Sequence, residues 1–175
     1  RQRQMCIRDS TRWVRVVDYK TGTKKLDLKE VYCGLDCQML LYLFSLTRDA
    51  SGRFTGAEPA GVLYLLADPA PESTTRANAA RSVEYKLDGL VRDEEKIFRA
   101  MDAEETGRYL PFGYLRGAPS PYQKDKRADA AKLSRIRLHL DDLVTQMGEQ
   151  LYGGQIDAEP LVVSSSKSPC TWCDY

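Results

Sequence analysis

The stretch Arg15-Val16-Val17-Asp18-Tyr19-Lys20-Thr21-Gly22 constrains the fold more than any other part of the chain. Val16 and Val17 are β-branched, and Thr21-Gly22 supplies a turn directly afterwards, so the segment predicts a strand that stops at a charged end. Side chains alternate across a strand, which puts Asp18 and Lys20 on one side and Tyr19 on the other. A carboxylate and an ammonium fixed together at a strand end suit metal-dependent phosphodiester cleavage. The carboxylate can hold a hard cation such as Mg²⁺, which prefers oxygen ligands. The lysine can orient or activate the attacking water and offset charge on the phosphate. On Asp-x-Lys alone, an exposed ion pair on a strand edge is the commoner meaning of such a pattern.

The next segment shifts that balance. Helix is predicted from about Leu28 to Leu46, with Asp27 as N-cap, Glu30 completing a capping box, and Gly34 dividing a short first part from a longer second one. Leu35, Met39, Tyr42 and Leu46 recur at helical spacing and form the expected packed face. Gln38 and Tyr42 lie four residues apart and share a face. A glutamine inside an apolar run is expected to hold a hydrogen bond, since an unpaired buried amide costs about 1–3 kcal/mol. Cys33 and Cys37 have the same spacing, but a metal would need two further ligands, so they read as small packing side chains. Together, VVDYKTG and GLDCQMLLYL resemble the RecB-like branch of the PD-(D/E)xK nucleases. Asp18-Tyr19-Lys20 matches that family's acid-x-lysine motif, and Gln38 with Tyr42 matches its Q-x-x-x-Y helix motif.

Residues 60–67 read as a buried strand, bounded by Pro59 before it and by Pro69 and Pro71 after it. Strand, helix and strand at this spacing imply a crossover unit in a mixed α/β sheet. A Pro/Ser/Thr/Ala-rich loop follows over 68–78, then a short strand from Val83 ending near Asp88-Gly89, then a short helix over 93–101 with acids in its first turn. The turn-rich segment 104–123 carries Tyr109, Tyr114 and Tyr122, read as packing residues rather than base-stacking ones. The longest helix is expected over 129–152, with the stripe Leu133, Ile136, Leu140, Leu143 and Met147 and a Gly153-Gly154 stop. His139, the only histidine, lies beside that stripe without a recognisable partner and reads as a packing or surface residue. Asp141 and Asp142 read as its solvated face.

Charge and cysteine content bound the function class. A net charge of +1 gives no global argument for nucleic acid. Between Arg12 and Lys25, however, five basic residues (Arg12, Arg15, Lys20, Lys24, Lys25) face one acid, Asp18. That excess suits a passing phosphate backbone and equally a solvated loop. No apolar run has membrane-spanning length and no secretory signal pattern is present, so no membrane partner is expected. Five cysteines, an odd number, argue against a secreted disulfide framework and for a cytoplasmic location. The opening RQRQMCIRDS shows neither helical nor strand periodicity and resembles translated adapter sequence, so residues 1–11 are set aside as non-native. No Walker A pattern occurs, and ATP hydrolysis is not expected of this stretch.

The tail ends in a Cys-x-x-Cys, Cys170 and Cys173, which is half a site for zinc or an iron–sulfur cluster. Across about Arg12 to Tyr175, the order VVDYKTG, GLDCQMLLYL, YKLDGLV, DEEKIFRAMD, a long helix, GGQIDAEPL and PCTWCDY resembles the C-terminus of the AddB subunits of bacterial AddAB helicase–nucleases. The resemblance implies an α/β fold: part of a PD-(D/E)xK restriction-endonuclease-like core over 12–70, an α-rich continuation over 71–160, and a truncated cysteine tail over 161–175. It implies a Mg²⁺-dependent DNA exonuclease acting in double-strand break repair by homologous recombination, paired in a heterodimer with an AddA-type helicase/nuclease subunit. Asp18 and the Tyr19 backbone carbonyl would hold the metal, Lys20 would assist the attacking water, and Gln38 with Tyr42 would position the site or the DNA strand. Cys170 and Cys173 match the first two tail cysteines of a 4Fe–4S cluster. The family's other two cluster cysteines and its upstream metal-binding aspartate have no counterpart here. The chain alone is therefore expected to carry no stable cluster, to cut no DNA and to expose a sheet edge. Two other readings remain: a noncatalytic DNA-binding or scaffold module with a degenerate nuclease fold, and a compact CRISPR-associated exonuclease, against which the long segment 68–154 argues.

Overall fold

The computed structural model describes residues 3–7, 11–22, 24–48, 52–66, 87–157 and 161. The loop expected at 68–78, the start of the strand expected at Val83, and Cys170 and Cys173 lie outside them. The strands are β1 (Arg3–Ile7), β2 (Arg12–Lys20), β3 (Ala57–Leu66), β4 (Leu87–Arg92), β5 (Tyr114–Leu115), β6 (Ala118–Pro119) and β7 (Arg127–Ala128). The helices are α1 (Leu28–Tyr32), α2 (Gln38–Arg48), α3 (Glu95–Met101) and α4 (Ala130–Tyr152). Five of the strands form one mixed sheet in the order β1-β2-β3-β4-β7, while β5 and β6 make a small separate hairpin. None of the described helices is long and apolar enough to cross a membrane.

β2 and β3 pair in parallel, with α1 and α2 in the connection between them, which is the crossover expected from the sequence. β3 and β4 pair antiparallel, so the sheet is mixed. Two corrections concern strands. The opening segment, which shows no periodicity, nonetheless pairs through Arg3–Ile7 antiparallel to β2; backbone pairing with an edge asks for no side-chain alternation. The fourth strand does not end near Asp88-Gly89 but runs through both to Arg92. Gly89 sits opposite Leu63 there, where the two backbones come closer than a side chain would allow. The β2–β3 register also slips between Val14 and Arg15, opposite Pro59 and Gly61. Pro59 has no N–H to give the ladder, and a bulge is where a strand tolerates that.

The sheet separates two apolar clusters. On one side α2 and α4 cover Val14, Val16, Val62 and Tyr64. On the other, α3 and the residues around Phe112 cover Ala60, Leu63 and Val91. The helical segment does divide as expected, at Gly34 (φ +84°) and Asp36 (φ +54°). That break resets the helical phase, so the packed face differs from the predicted one. It consists of Met39, Leu40, Leu43 and Phe44, while Leu35 falls in the break and Tyr42 on the rim, both exposed. Asp27 caps α1 by accepting from the Lys29 N–H at 2.8 Å. In α4, capped by Asp129 on the Lys132 N–H at 2.6 Å, Leu133 and Leu140 are buried but Met147 is exposed, so the stripe is covered only in its first half. His139 does have a partner: its ring stacks on Tyr32 at 4.7 Å, and Nε2 lies 2.9 Å from the Tyr32 carbonyl oxygen.

Candidate active site

The end of β2 and the start of α2 form a cleft of about 140 Å³. Val16, Val17 and Asp18 supply one wall, and Gln38, Met39, Tyr42, Ser45 and Leu46 the other. Strand alternation explains the first wall: Val14 and Val16 are buried under α2, so Asp18 and Lys20 emerge on that same side where the helix cover ends. The Lys20 Nζ lies 2.7 Å from an Asp18 carboxylate oxygen, and both side chains are partly accessible, at 35% and 21%. Helical spacing explains the second wall. Gln38 and Tyr42 are one turn apart, and the Gln38 amide donates to the Tyr42 hydroxyl at 2.9 Å. The hydrogen bond expected of Gln38 exists, although Gln38 lies on the cleft rim rather than buried in the apolar run. Tyr19, on the opposite side of β2, is 43% exposed.

Two residues around this cleft escape a reading of the sequence. In the parallel register Tyr64 of β3 is the partner of Asp18. It is buried, and its hydroxyl donates to an Asp36 carboxylate oxygen at 3.0 Å. Asp36 also pairs with Lys24 at 3.0 Å. The ammonium groups of Lys20 and Lys24 lie 5.8 and 6.0 Å from the Tyr64 ring centre. Tyr64 looks like an ordinary member of an apolar strand, and Asp36 hides within a helical run. The available signal was an acid just after Gly34, where a chain break can aim a carboxylate inward. The local basic excess is therefore partly neutralised, since Lys20 and Lys24 each carry an acidic partner.

Electrostatics follow from this packing. Burial first, then the charge of Asp36 and the hydrogen bond to it, with smaller contributions from Asp18 and Asp88, push the Tyr64 phenol well above its ordinary range. Burial, then Asp36, also raises the Cys37 thiol. Cys37 donates to the Leu35 carbonyl at 3.3 Å, as the packing reading expects. Asp88, on β4 beside Tyr64, accepts from the Leu26 N–H and from Lys126, both at 2.7 Å, and so ties the segment leaving the site to the sheet.

Among the described residues no group of three or more His, Cys, Asp or Glu side chains converges to hold a metal. Asp18 has the right chemistry and position to be one oxygen ligand on the cleft wall, as a hard cation needs.

A family profile described as the PD-(D/E)XK nuclease superfamily matches residues 6–175. The chain is 34% identical over 173 residues to an ATP-dependent helicase/deoxyribonuclease subunit of Oceanobacillus iheyensis, covering 93% of this chain and 15% of that protein. It is 32% identical over 176 residues to the like-named protein of Bacillus subtilis, with the same coverage of 93% and 15%. For the like-named protein of Thermoanaerobacter sp. (strain X514) the identity is 28% over 170 residues, again with 93% and 15% covered. All three carry the name of the AddB component of that enzyme. The chain thus spans about 15% of the length of these relatives.

Proposed function

Because this chain belongs to the PD-(D/E)XK nuclease superfamily, we propose that it is the DNA-cleaving segment of a helicase–nuclease subunit of the AddB kind, an exonuclease in double-strand break repair by homologous recombination. The observation that supports this reading is the cleft into which Asp18, Gln38 and Tyr42 converge, with Lys20 held on Asp18. Those are the side chains of the two motifs, brought together from a strand end and a helix start.

In this reading Asp18 and the Tyr19 carbonyl hold Mg²⁺, with further ligands from outside the described residues. When bound, the cation polarises the phosphoryl oxygen and makes water a nucleophile near neutral pH. The chain's own groups do the rest. The Lys20 ammonium, at the cleft mouth, orients the attacking water and offsets charge on the phosphate. The Gln38 amide and Tyr42 hydroxyl, already locked to each other, present a rigid polar edge to the DNA strand, and rigid placement is what limits the entropy lost on reaching the transition state. DNA and an AddA-type helicase/nuclease subunit in a heterodimer are the proposed partners. The proposed compartment is the cytoplasm. Cys170 and Cys173 are proposed as two of the four ligands of a 4Fe–4S cluster in the longer protein.

The test is Asp18→Ala in the full-length protein assembled with its partner. Cleavage from this domain should fall below detection, while the melting temperature stays near wild type, because a partly exposed ion pair contributes only about 0–1 kcal/mol. Retained cleavage would overturn the assignment and favour a scaffold role.

A further inference from the structure

Lys20 has two anchors, and only one of them is part of the sequence motif. The first is Asp18, at 2.7 Å. If that carboxylate is engaged by a cation, as the proposed function requires, its hold on the ammonium weakens at the moment Lys20 must be in place. The second anchor is the ring of Tyr64, whose centre lies 5.8 Å from the Lys20 Nζ, within the roughly 6 Å reach of a cation–π contact. The ring itself is held firmly. Tyr64 is 2% exposed, its hydroxyl donates to Asp36 at 3.0 Å, and Asp36 is held in turn by Lys24 at 3.0 Å. A phenol donating to a carboxylate carries extra electron density on its ring, which strengthens attraction to a cation above it. Asp36 adopts φ +54°, a conformation that costs a non-glycine residue about 1 kcal/mol or more. That cost is offset where the residue gains a partly buried carboxylate with two partners.

Resting on the nuclease reading above, we propose that Tyr64 is a positioning residue for Lys20, with Asp36 and Lys24 fixing the Tyr64 ring, so that the ammonium stays at the cleft mouth independently of Asp18. The arrangement is built from three segments: the strand that carries Tyr64, the helix break that carries Asp36, and the turn after β2 that carries Lys24. Its purpose is placement, because a reacting group displaced by about 1 Å can lose as much as a hundred-fold in rate.

The experiment is a ¹³C-edited NMR spectrum of the chain labelled at the lysine Cε, with the Lys20 signal assigned by its disappearance in Lys20→Arg. The expected result is an upfield ring-current shift of the Lys20 methylene protons, retained in Asp18→Asn and in Tyr64→Phe and lost in Tyr64→Leu. A shift absent from the wild type, or lost in Asp18→Asn, overturns the proposal. Should Tyr64→Leu fail to fold, Asp36→Asn reports instead: loosening the ring should reduce the shift, and an unchanged shift removes Asp36 from the device. In the full-length protein, Tyr64→Leu should lower kcat about ten-fold with KM for DNA unchanged; equal kcat refutes positioning. The outcomes separate from those of the nuclease reading. Cleavage that survives Asp18→Ala defeats that reading, whereas cleavage lost in Asp18→Ala together with a Lys20 signal indifferent to Tyr64 defeats only the second anchor.

Discussion

Replacing Gly89 with alanine tests whether the sheet is assembled as described and whether the site depends on it. Gly89 lies opposite Leu63 in the β3–β4 pair at φ +151°. A Cβ there would fall 2.1 Å from the Val62 carbonyl oxygen and 3.0 Å from the Leu63 Cα. Both are backbone atoms of the neighbouring strand, so no side chain can rotate away and β4 itself must shift. The neighbouring strand shows the same close approach at Gly61, where a Cβ would lie 2.4 Å from the Leu90 carbonyl oxygen. Overpacking costs about 1–3 kcal/mol, and a backbone conformation hostile to a side chain adds about 1–2 kcal/mol. The expected loss is therefore about 3 kcal/mol, a large share of a typical stability of about 5–15 kcal/mol. At roughly 2–4 °C per kcal/mol for a chain of this size, the melting temperature should fall by about 6–12 °C in a calorimetric or fluorescence melt. Gly148→Ala is the control of opposite sign. It lies inside α4, a Cβ there meets nothing within 4 Å, and the change should stabilise by up to about 1 kcal/mol. A Gly89→Ala melt within about 2 °C of wild type, less than 1 kcal/mol on the same scale, with Gly148→Ala behaving as stated, would refute the close strand approach.

Other perturbations probe the surroundings of the cleft. Asp88→Ala removes the acceptor of the Leu26 N–H and the partner of Lys126; a loss of about 2–3 kcal/mol is expected by denaturant titration. Tyr64 has its folded-state pKa raised by burial and Asp36, so it keeps its proton in the folded chain where an unfolded tyrosine loses it near pH 10. Its contribution to stability is thus complete below about pH 10 and is lost as pH rises towards the folded value. Tyr64→Phe should accordingly be less stable than wild type at about pH 8 and lose less between about pH 10 and 12; parallel losses in that range would contradict the shift. Gln38→Ala removes a hydrogen bond on the cleft rim. It should change stability by no more than about 0.5 kcal/mol while lowering cleavage by the full-length protein at least ten-fold, and unchanged cleavage would exclude Gln38 from the site.

The local chemistry of the candidate site was legible in the sequence. Asp18 and Lys20 on one side of a strand, and Gln38 and Tyr42 on one helical turn, follow from periods of about two and 3.6 residues, which need no knowledge of what packs against them. The crossover and mixed sheet were legible for a similar reason, since a buried strand, an amphipathic helix and another buried strand have few ways to pack. The rotated face of α2 was not, because two residues with positive φ at Gly34 and Asp36 reset the helical phase, and an aspartate in that conformation carries little local signal. Nor was the pairing of Arg3–Ile7 with β2, which depends on backbone hydrogen bonds rather than on side-chain pattern. Above all, the sequence by itself determined which side chains could perform the chemistry, and only the tertiary structure decided what surrounds them. Tyr64 stands 46 residues after Asp18 in the chain and beside it in the sheet, and a register between strands is set by the packing of both faces at once, information that no local stretch contains.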